Sequence, residues 1–177
     1  MTVWDEGSYR HCLATSEYAE AIGRELGIEG DELEWVRIGA LLHDIGKMGV
    51  DLAVLKKPGR LEAGETELVR MHSAAGAAIL RRVLPQTAVD CAQDHHEQPD
   101  GRGYPRGLVE PQIPMAALIC RVADVLDSLT TDQTYRDAMS LSAAMRELRD
   151  GAGSRYSATV VEALERLIER DELLIAA

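Results

Sequence analysis

The chain has 177 residues, of which 46% are hydrophobic and 28% are charged. This length suits one compact domain covering residues 1–177, since single domains cluster at roughly 100–200 residues. The composition excludes a disordered tail and a fibrous repeat. No apolar run reaches the ~20 residues of a membrane helix, and the first residues do not resemble a signal peptide. We therefore expect a cytoplasmic protein without a membrane partner.

The net charge is −11, from 30 acidic and 19 basic side chains. A polymer of nucleic acid binds basic surfaces because its phosphates are negatively charged, so this charge argues against a nucleic-acid partner. An anionic ligand would need a local source of positive charge, and metal ions are the obvious candidate.

The three cysteines, Cys12, Cys91 and Cys120, are widely spaced and form no CxxC pair. Each lies among small or aliphatic residues, so we expect buried side chains rather than ligands or nucleophiles. An odd number of cysteines without a disulfide framework is typical of a reducing compartment, which agrees with a cytoplasmic location.

Helical periodicity runs along nearly the whole chain, and it predicts an all-α bundle of about seven helices. The predicted helices cover residues 8–26, 31–45, 65–83, 85–96, 114–130, 141–150 and 158–170. Asp31 and Glu34 have the spacing of a capping box for the second helix, and Gly46 is expected to end it. Ser140 and Ser157 are expected to cap the last two helices.

Two apolar stripes predict which helix faces are buried. The third predicted helix carries Leu68, Ala75 and Ile79 on one face. The helix that begins near Pro114 carries a second stripe, formed by Leu118, Val122, Val125 and Leu129.

The stretch from residue 97 to residue 114 holds four prolines and three glycines and cannot be helical. A loop of this length inside a compact domain is usually functional. We expect it to form the rim of a ligand site, with Asp100 ordering its turn. Tyr104 would offer a hydroxyl or a stacking face for a base; the alternative is an aromatic ring folded back onto the core.

Three of the five histidines, His11, His43 and His72, lie on faces where an amphipathic helix would place apolar residues. Singly, each is more often a core histidine than a ligand. Together, several inward imidazoles need acceptors or a cation, and the core offers few other polar partners. Asp44 follows His43 directly and could reach a second metal, whereas Asp124 alone could equally be a surface acid.

Imidazoles and carboxylates without thiolates suit Fe, Mn, Ni or Zn. The number of candidate donors exceeds what one tetrahedral ion takes, so two metal ions are the simpler interpretation. Two such cations, about 3.5–4 Å apart, can lower the pKa of a shared water toward 7 and so supply a hydroxide as nucleophile.

Four strings in order resemble the HD-GYP domain, the bacterial branch of the HD metal-dependent phosphohydrolases. They are LLHDIGK (41–47), KPG (57–59), HHEQPDGRGYP (95–105) and ADVLDSLTTDQTYR (123–136). The resemblance extends over nearly the whole chain, and the combined motifs are specific where a lone His-Asp pair would be weak.

This resemblance implies an all-α fold and a centre of two divalent ions, Fe or Mn first, with Ni, Mg or Zn as further options. It also implies hydrolysis of cyclic di-guanylate (c-di-GMP) to pGpG or GMP. Asp44 matches the bridging carboxylate, Lys47 a catalytic lysine against the substrate phosphate, and Tyr104 and Arg136 further substrate contacts. Residues 103–105 match the GYP tripeptide, which is associated with GGDEF-type partners. The implied metal ligands are His11, His43, Asp44, His72, His95, His96 and Asp124.

The chain departs from the family pattern at three places. Gly7 replaces a glutamate that supports a third metal in some members, so we expect two metals. Gln98-Pro99 replaces Arg-Trp, and Gln133 replaces an arginine that helps to hold the dinucleotide. These changes leave open another cyclic dinucleotide or nucleotide as substrate, or a non-catalytic module that senses a ligand or docks a partner. We also expect Asp127 to accept a hydrogen bond from a ligand imidazole.

Overall fold

The computed structural model describes residues 6–132 and 137–173. Within these residues the protein is built from helices, turns and loops, as the all-α prediction requires. Besides the 3₁₀ helix Ile45–Gly49, the α-helices are α1 Glu6–Glu25, α2 Gly30–Leu41, α3 Leu52–Leu55, α4 Ala63–Leu80, α5 Gln86–Asp94, α6 Met115–Thr130, α7 Leu141–Asp150 and α8 Ala158–Glu169.

The described part contains one helix more than the seven predicted. The additional helix is α3, whose four residues lie in a segment without predicted structure. None of the helices in the described part combines the length and the apolar composition that a membrane span requires.

The central element is α6, which contacts α1, α2, α5, α7 and α8. Its predicted stripe is confirmed, since Leu118 and Val122 are fully buried and Val125 and Leu129 pack partly buried against the same core. The three cysteines are also buried, as predicted. The packing leaves one face of α6 for polar residues that point into the bundle.

The second helix ends at Leu41, four residues earlier than predicted. The backbone leaves the helical conformation at Leu42 and continues through a turn into the 3₁₀ helix. Gly46 is therefore not the residue that ends α2. The pair His43-Asp44 lies in this turn rather than on a helix, so the two adjacent side chains can face the same point.

The predicted capping box of α2 is wrong. Glu29 occupies the N-cap position, and the carboxylate of Glu34 instead accepts hydrogen bonds from Arg37 within the helix. Ser140 is confirmed as a cap, since its hydroxyl accepts from the Ala143 backbone N–H. Ser157 occupies the predicted N-cap position of α8, but its hydroxyl donates to another residue.

The predicted buried face of α4 is also wrong. Leu68 and Ile79 are about half exposed, and Ala75 is exposed as well. The helix instead buries a face with smaller side chains, formed by His72, Ser73, Gly76, Ala77 and Leu80. The face with small residues is selected because the 3₁₀ helix packs almost directly on the backbone of α4.

Gly46 marks the point of closest approach. A Cβ atom at this position would lie 1.9 Å from the carbonyl oxygen of His72 and 2.6 Å from the backbone nitrogen of Gly76. Only glycine allows this contact, because any side chain would push the 3₁₀ helix off α4. The contact holds the turn with His43 and Asp44 against the middle of α4.

Gly46→Ala should lower the free energy of unfolding by about 1–3 kcal/mol, the usual cost of forcing extra atoms into a packed contact. Gly49→Ala is the matched control, because a Cβ there meets nothing within 4 Å. The control should stay within about 0.5 kcal/mol of the parent protein. Urea denaturation followed by circular dichroism measures both; equal stabilities of the two variants would show that the close contact does not exist.

Candidate metal centre

All five histidines of the chain meet inside the bundle, together with Asp44. They form two groups, and within each group the potential ligand atoms lie within 4.8 Å of one another. The first group is His72, His95 and His96, and we call it the α4–α5 group. The second group is His11, His43 and Asp44, and we call it the α1–α2 group.

Two pairs of adjacent residues contribute to these groups, and both pairs follow the end of a helix. His43-Asp44 follows α2, and His95-His96 follows α5. On a continuous helix neighbouring side chains diverge by about 100°. Where the helix stops, consecutive side chains can face the same point, and the rings of His95 and His96 are only 4.0 Å apart between centroids.

Backbone carbonyls orient three of the imidazoles. The Nδ1 atoms lie 2.7 Å from Ala40 O for His43, 2.5 Å from Val69 O for His72, and 2.8 Å from Cys91 O for His95. A carbonyl oxygen can only accept, so each Nδ1 carries the proton and donates it. In the neutral ring the Nε2 atom then has a free lone pair, which is the state that binds a metal.

His72 and His95 place these lone pairs face to face, with their Nε2 atoms 3.3 Å apart. Burial lowers the pKa of both imidazoles, that of His95 well below its usual value, and so keeps them neutral. Two acceptors at this distance repel each other unless a cation lies beside both. The α4–α5 group therefore fits a metal ion.

Asp44, a member of the α1–α2 group, also faces the α4–α5 group and presents one oxygen to a histidine of each. Its Oδ2 is 3.4 Å from His43 Nε2, and its Oδ1 is 3.3 Å from His72 Nε2. Burial alone would raise the pKa of Asp44, but the neighbouring His43 imidazole and the Lys47 ammonium hold it well below its usual value. The side chain is thus an anion placed where a bridging ligand between two cations would be.

The polar face of α6 completes the α1–α2 group. Asp124 Oδ1 lies 3.2 Å from His11 Nε2, and Asp127 Oδ2 lies 2.6 Å from His11 Nδ1. The expected hydrogen bond between Asp127 and an imidazole is therefore present. Burial would lower the pKa of His11, but hydrogen bonds to Asp124 and Asp127 outweigh it and raise the pKa to about 10.

Gly7, which matches the position of the third-metal glutamate, is exposed. Glu6 is also exposed and pairs with Arg10 on its own helix. The number of cations stays a prediction.

Lys47 and Tyr104 both lie at the centre. The ammonium of Lys47 donates to Asp44 Oδ2, and burial, which would lower its pKa, is outweighed by the charge of Asp44, which raises it. The ring of Tyr104 stacks on His96, with centroids 4.6 Å apart and planes 23° apart. Arg136 and Gln133 lie outside the described residues.

Sequence reasoning missed Glu97, which anchors the long loop. Its carboxylate is fully buried and accepts hydrogen bonds from the backbone N–H groups of Arg106, Gly107 and Leu108. Asp94, also buried, pairs with the Arg106 guanidinium. The available signal was an acid placed just before a non-helical stretch, whose backbone N–H groups must find acceptors.

The fold and the site define an all-α protein with two histidine groups joined by one carboxylate. Residues 5–160 match the family model described as HD domain, and the chain belongs to this family. Its resemblance to the HD-GYP branch is confirmed by the relatives that it matches.

Two curated relatives illustrate the similarity. A cyclic di-GMP phosphodiesterase of Thermotoga maritima is 37% identical over 166 residues, covering 92% of this chain and 45% of that protein. A 3'3'-cGAMP-specific phosphodiesterase of Vibrio cholerae is 35% identical over 159 residues, covering 89% of this chain and 35% of that protein. The chain thus spans less than half the length of these two relatives.

A solved structure shows the same fold. It is described as an HDG"Y"P protein from Bdellovibrio bacteriovorus and matches with a TM-score of 0.74 at 22% identity. The match covers 94% of this chain and 55% of that chain.

Asp127→Asn should weaken the binding of Mn²⁺ by about 10–100-fold, because it removes the anion that orients His11 and raises its basicity. The matched control is Asp90→Asn, since the carboxylate of Asp90 accepts from Gln86 on its own helix, away from both histidine groups. Isothermal titration calorimetry measures both affinities. Equal affinities of the two variants would show that Asp127 does not support a metal ligand.

Metal binding at pH 7–8 should release a proton from His11. With its pKa near 10 in the metal-free protein, this imidazole is charged at that pH, and its Nε2 must lose a proton to bind a cation. Affinity should therefore rise with pH toward about 10. Titrations in two buffers of different ionisation enthalpy count the protons; no proton release would contradict the assignment of His11.

Proposed function

We propose that this chain hydrolyses c-di-GMP to linear pGpG, to GMP or to both, with two divalent cations in the site. The proposal is supported above all by Asp44, whose two oxygens each face one histidine group. The proposed metal ligands are those implied by the resemblance, His11, His43, Asp44, His72, His95, His96 and Asp124. Their chemistry suits Fe or Mn, and also Ni or Zn.

The class of substrate is supported by the relatives. The two curated relatives are named for c-di-GMP and 3'3'-cGAMP. Both molecules are cyclic dinucleotides with two 3′–5′ phosphodiester bonds, and both contain guanine. A cyclic dinucleotide with at least one guanine is therefore the ligand that the similarity favours.

The reaction adds water across one P–O3′ bond. A new bond forms between phosphorus and the water oxygen, the O3′ atom leaves with a proton, and the product carries a 5′-phosphate. Two bound divalent cations would neutralise the charge that grows on the phosphate and would make a water molecule acidic enough to attack at neutral pH. The residues of the chain hold the charges and fix the geometry.

Each residue has a distinct role in this proposal. Asp44 would contribute one oxygen to each of two cations, and Asp127 holds the ring of His11 through a hydrogen bond to its Nδ1. Lys47 remains charged and places an ammonium at the edge of the site, where it can contact a phosphate oxygen. Tyr104 closes the site beside His96, and Arg136 stays a predicted substrate contact.

A second candidate substrate is 3'3'-cGAMP, which the similarity to the Vibrio cholerae relative favours. Docking of a GGDEF-type partner through residues 103–105 stays a prediction from the resemblance, as does the cytoplasmic location.

The test uses protein purified without oxygen and loaded with Mn²⁺ or Fe²⁺, incubated with c-di-GMP, 3'3'-cGAMP and nucleotide monophosphates. Chromatography should reveal pGpG or GMP from c-di-GMP. Hydrolysis of monophosphates alone would reject the proposal, and tight binding of c-di-GMP without turnover would favour a sensing module.

Asp44→Asn should reduce both the metal content and kcat, because it removes the negative charge that faces both histidine groups. We expect kcat to fall roughly a thousandfold, which corresponds to about 4 kcal/mol in the activation free energy. Asp90→Asn again serves as the control and should keep both. Metal analysis and product chromatography on the same samples check this. Unchanged turnover in Asp44→Asn would show that the bridging assignment is wrong.

A further inference from the structure

Three planar side chains lie in contact at the edge of the metal centre. His96, a member of the α4–α5 group, stacks on the ring of Tyr104. The guanidinium carbon of Arg70, on α4, lies over the same tyrosine ring, 5.0 Å from its centroid. The tyrosine ring thus has an imidazole and a guanidinium as neighbours.

Two side chains already occupy the neighbourhood of the Tyr104 ring. The imidazole of His96 stacks on it, and the guanidinium of Arg70 also lies over it. The contact of Tyr104 with substrate stays a prediction, and Arg70 offers a further polar group beside it.

Arg70 has donors available at the rim of the site. Its side chain is 48% exposed, and its Nη1 atom donates to Glu67 one helical turn earlier. An exposed ion pair within one helix is weak and easily exchanged for a ligand. A guanidinium carries five N–H donors, and Glu67 accepts from only one nitrogen of Arg70, Nη1. Further donors of Arg70 can therefore serve a ligand.

Other cations at the centre already have close partners. Lys47 donates to Asp44. Arg121 donates to the backbone carbonyls of Arg155 and His95. Arg70 is therefore well placed to meet a new acceptor on a ligand that enters from the solvent.

We propose that Arg70 recognises a guanine base of the substrate by donating two hydrogen bonds to its O6 and N7 atoms. This inference rests on the proposed function, since it needs a guanine-containing cyclic dinucleotide in the site. A guanidinium matches the two adjacent acceptors of guanine, whereas adenine has an amino donor in place of O6. Arg70 would thus determine specificity for guanine over adenine.

The position of Arg70 favours a base over a phosphate. The cations would hold the phosphate that is cleaved, and the bases are the parts of a cyclic dinucleotide that extend farthest from its phosphodiester ring. Arg70 lies two ring contacts beyond His96, of 4.6 Å and 5.0 Å. We therefore place a base of the dinucleotide, and not the scissile phosphate, beside its guanidinium.

The experiment compares c-di-GMP, 3'3'-cGAMP and c-di-AMP as substrates, or as competing inhibitors where turnover is slow. Arg70→Ala should raise the KM or Ki of c-di-GMP about tenfold, leave that of c-di-AMP unchanged and leave kcat unchanged. Arg70→Lys should show nearly the same loss, because lysine keeps the charge but not the paired donors. Arg37→Ala is the matched control, since it removes a similar arginine–glutamate pair from α2 and should behave as the parent protein.

Two results would overturn the inference. Variants that keep the preference for c-di-GMP over c-di-AMP show that Arg70 does not recognise the base. Equal weakening of all three ligands in Arg70→Ala, restored by Arg70→Lys, shows a contact with phosphate instead.

Hydrolysis of the small diester bis(p-nitrophenyl) phosphate reports on the metal centre separately and should be equal in the parent protein and the Arg70 variants. A parent protein that cleaves this diester but no cyclic dinucleotide contradicts the proposed function itself. A parent protein that cleaves c-di-GMP with variants that match it contradicts only the role of Arg70.

Discussion

The structure depends on the hydrogen bonds that orient the buried imidazoles. Carbonyls of Ala40, Val69 and Cys91 accept from Nδ1 and so direct the Nε2 lone pairs toward one small region. Collecting acceptors in a buried space is unfavourable by itself, since each has lost its water. A cation would offset this cost, and the free energy of metal binding would then contribute to the stability of the fold. The shared orientation of the Nε2 lone pairs is therefore unfavourable without a metal ion and favourable for binding one.

The scaffold serves this orientation by bringing helix ends and helix faces close together. The 3₁₀ helix contacts α4 at Gly46, which brings the Asp44 turn beside His72. The buried carboxylate of Glu97 ties the long loop to the end of α5, directly after the two adjacent histidines. Tyr104 is thereby held on His96, and Arg70 of α4 lies over the same ring. The rim of the site is thus built from the same contacts that position its histidines and Asp44.

Much of this could be predicted from the sequence, because the relevant signals are local. Helical periodicity predicted seven of the eight helices in the described part, and the inward position of His11, His43 and His72 indicated a shared polar focus. The features that escaped prediction depend on contacts between distant segments. The buried face of α4 is the one with small residues because the 3₁₀ helix packs there. The contacts of Glu97 with the long loop and of Arg70 with Tyr104 depend on how the loop folds, which no periodic pattern encodes.

The central claim is that one carboxylate joins two histidine groups into a site for two cations. Anomalous diffraction from crystals grown with Mn²⁺ in the absence of oxygen tests this claim most directly. The account predicts two peaks about 3.5–4 Å apart, one at the α4–α5 group and one at the α1–α2 group, with Asp44 in contact with both. A single peak, or two peaks of which only one contacts Asp44, would contradict it.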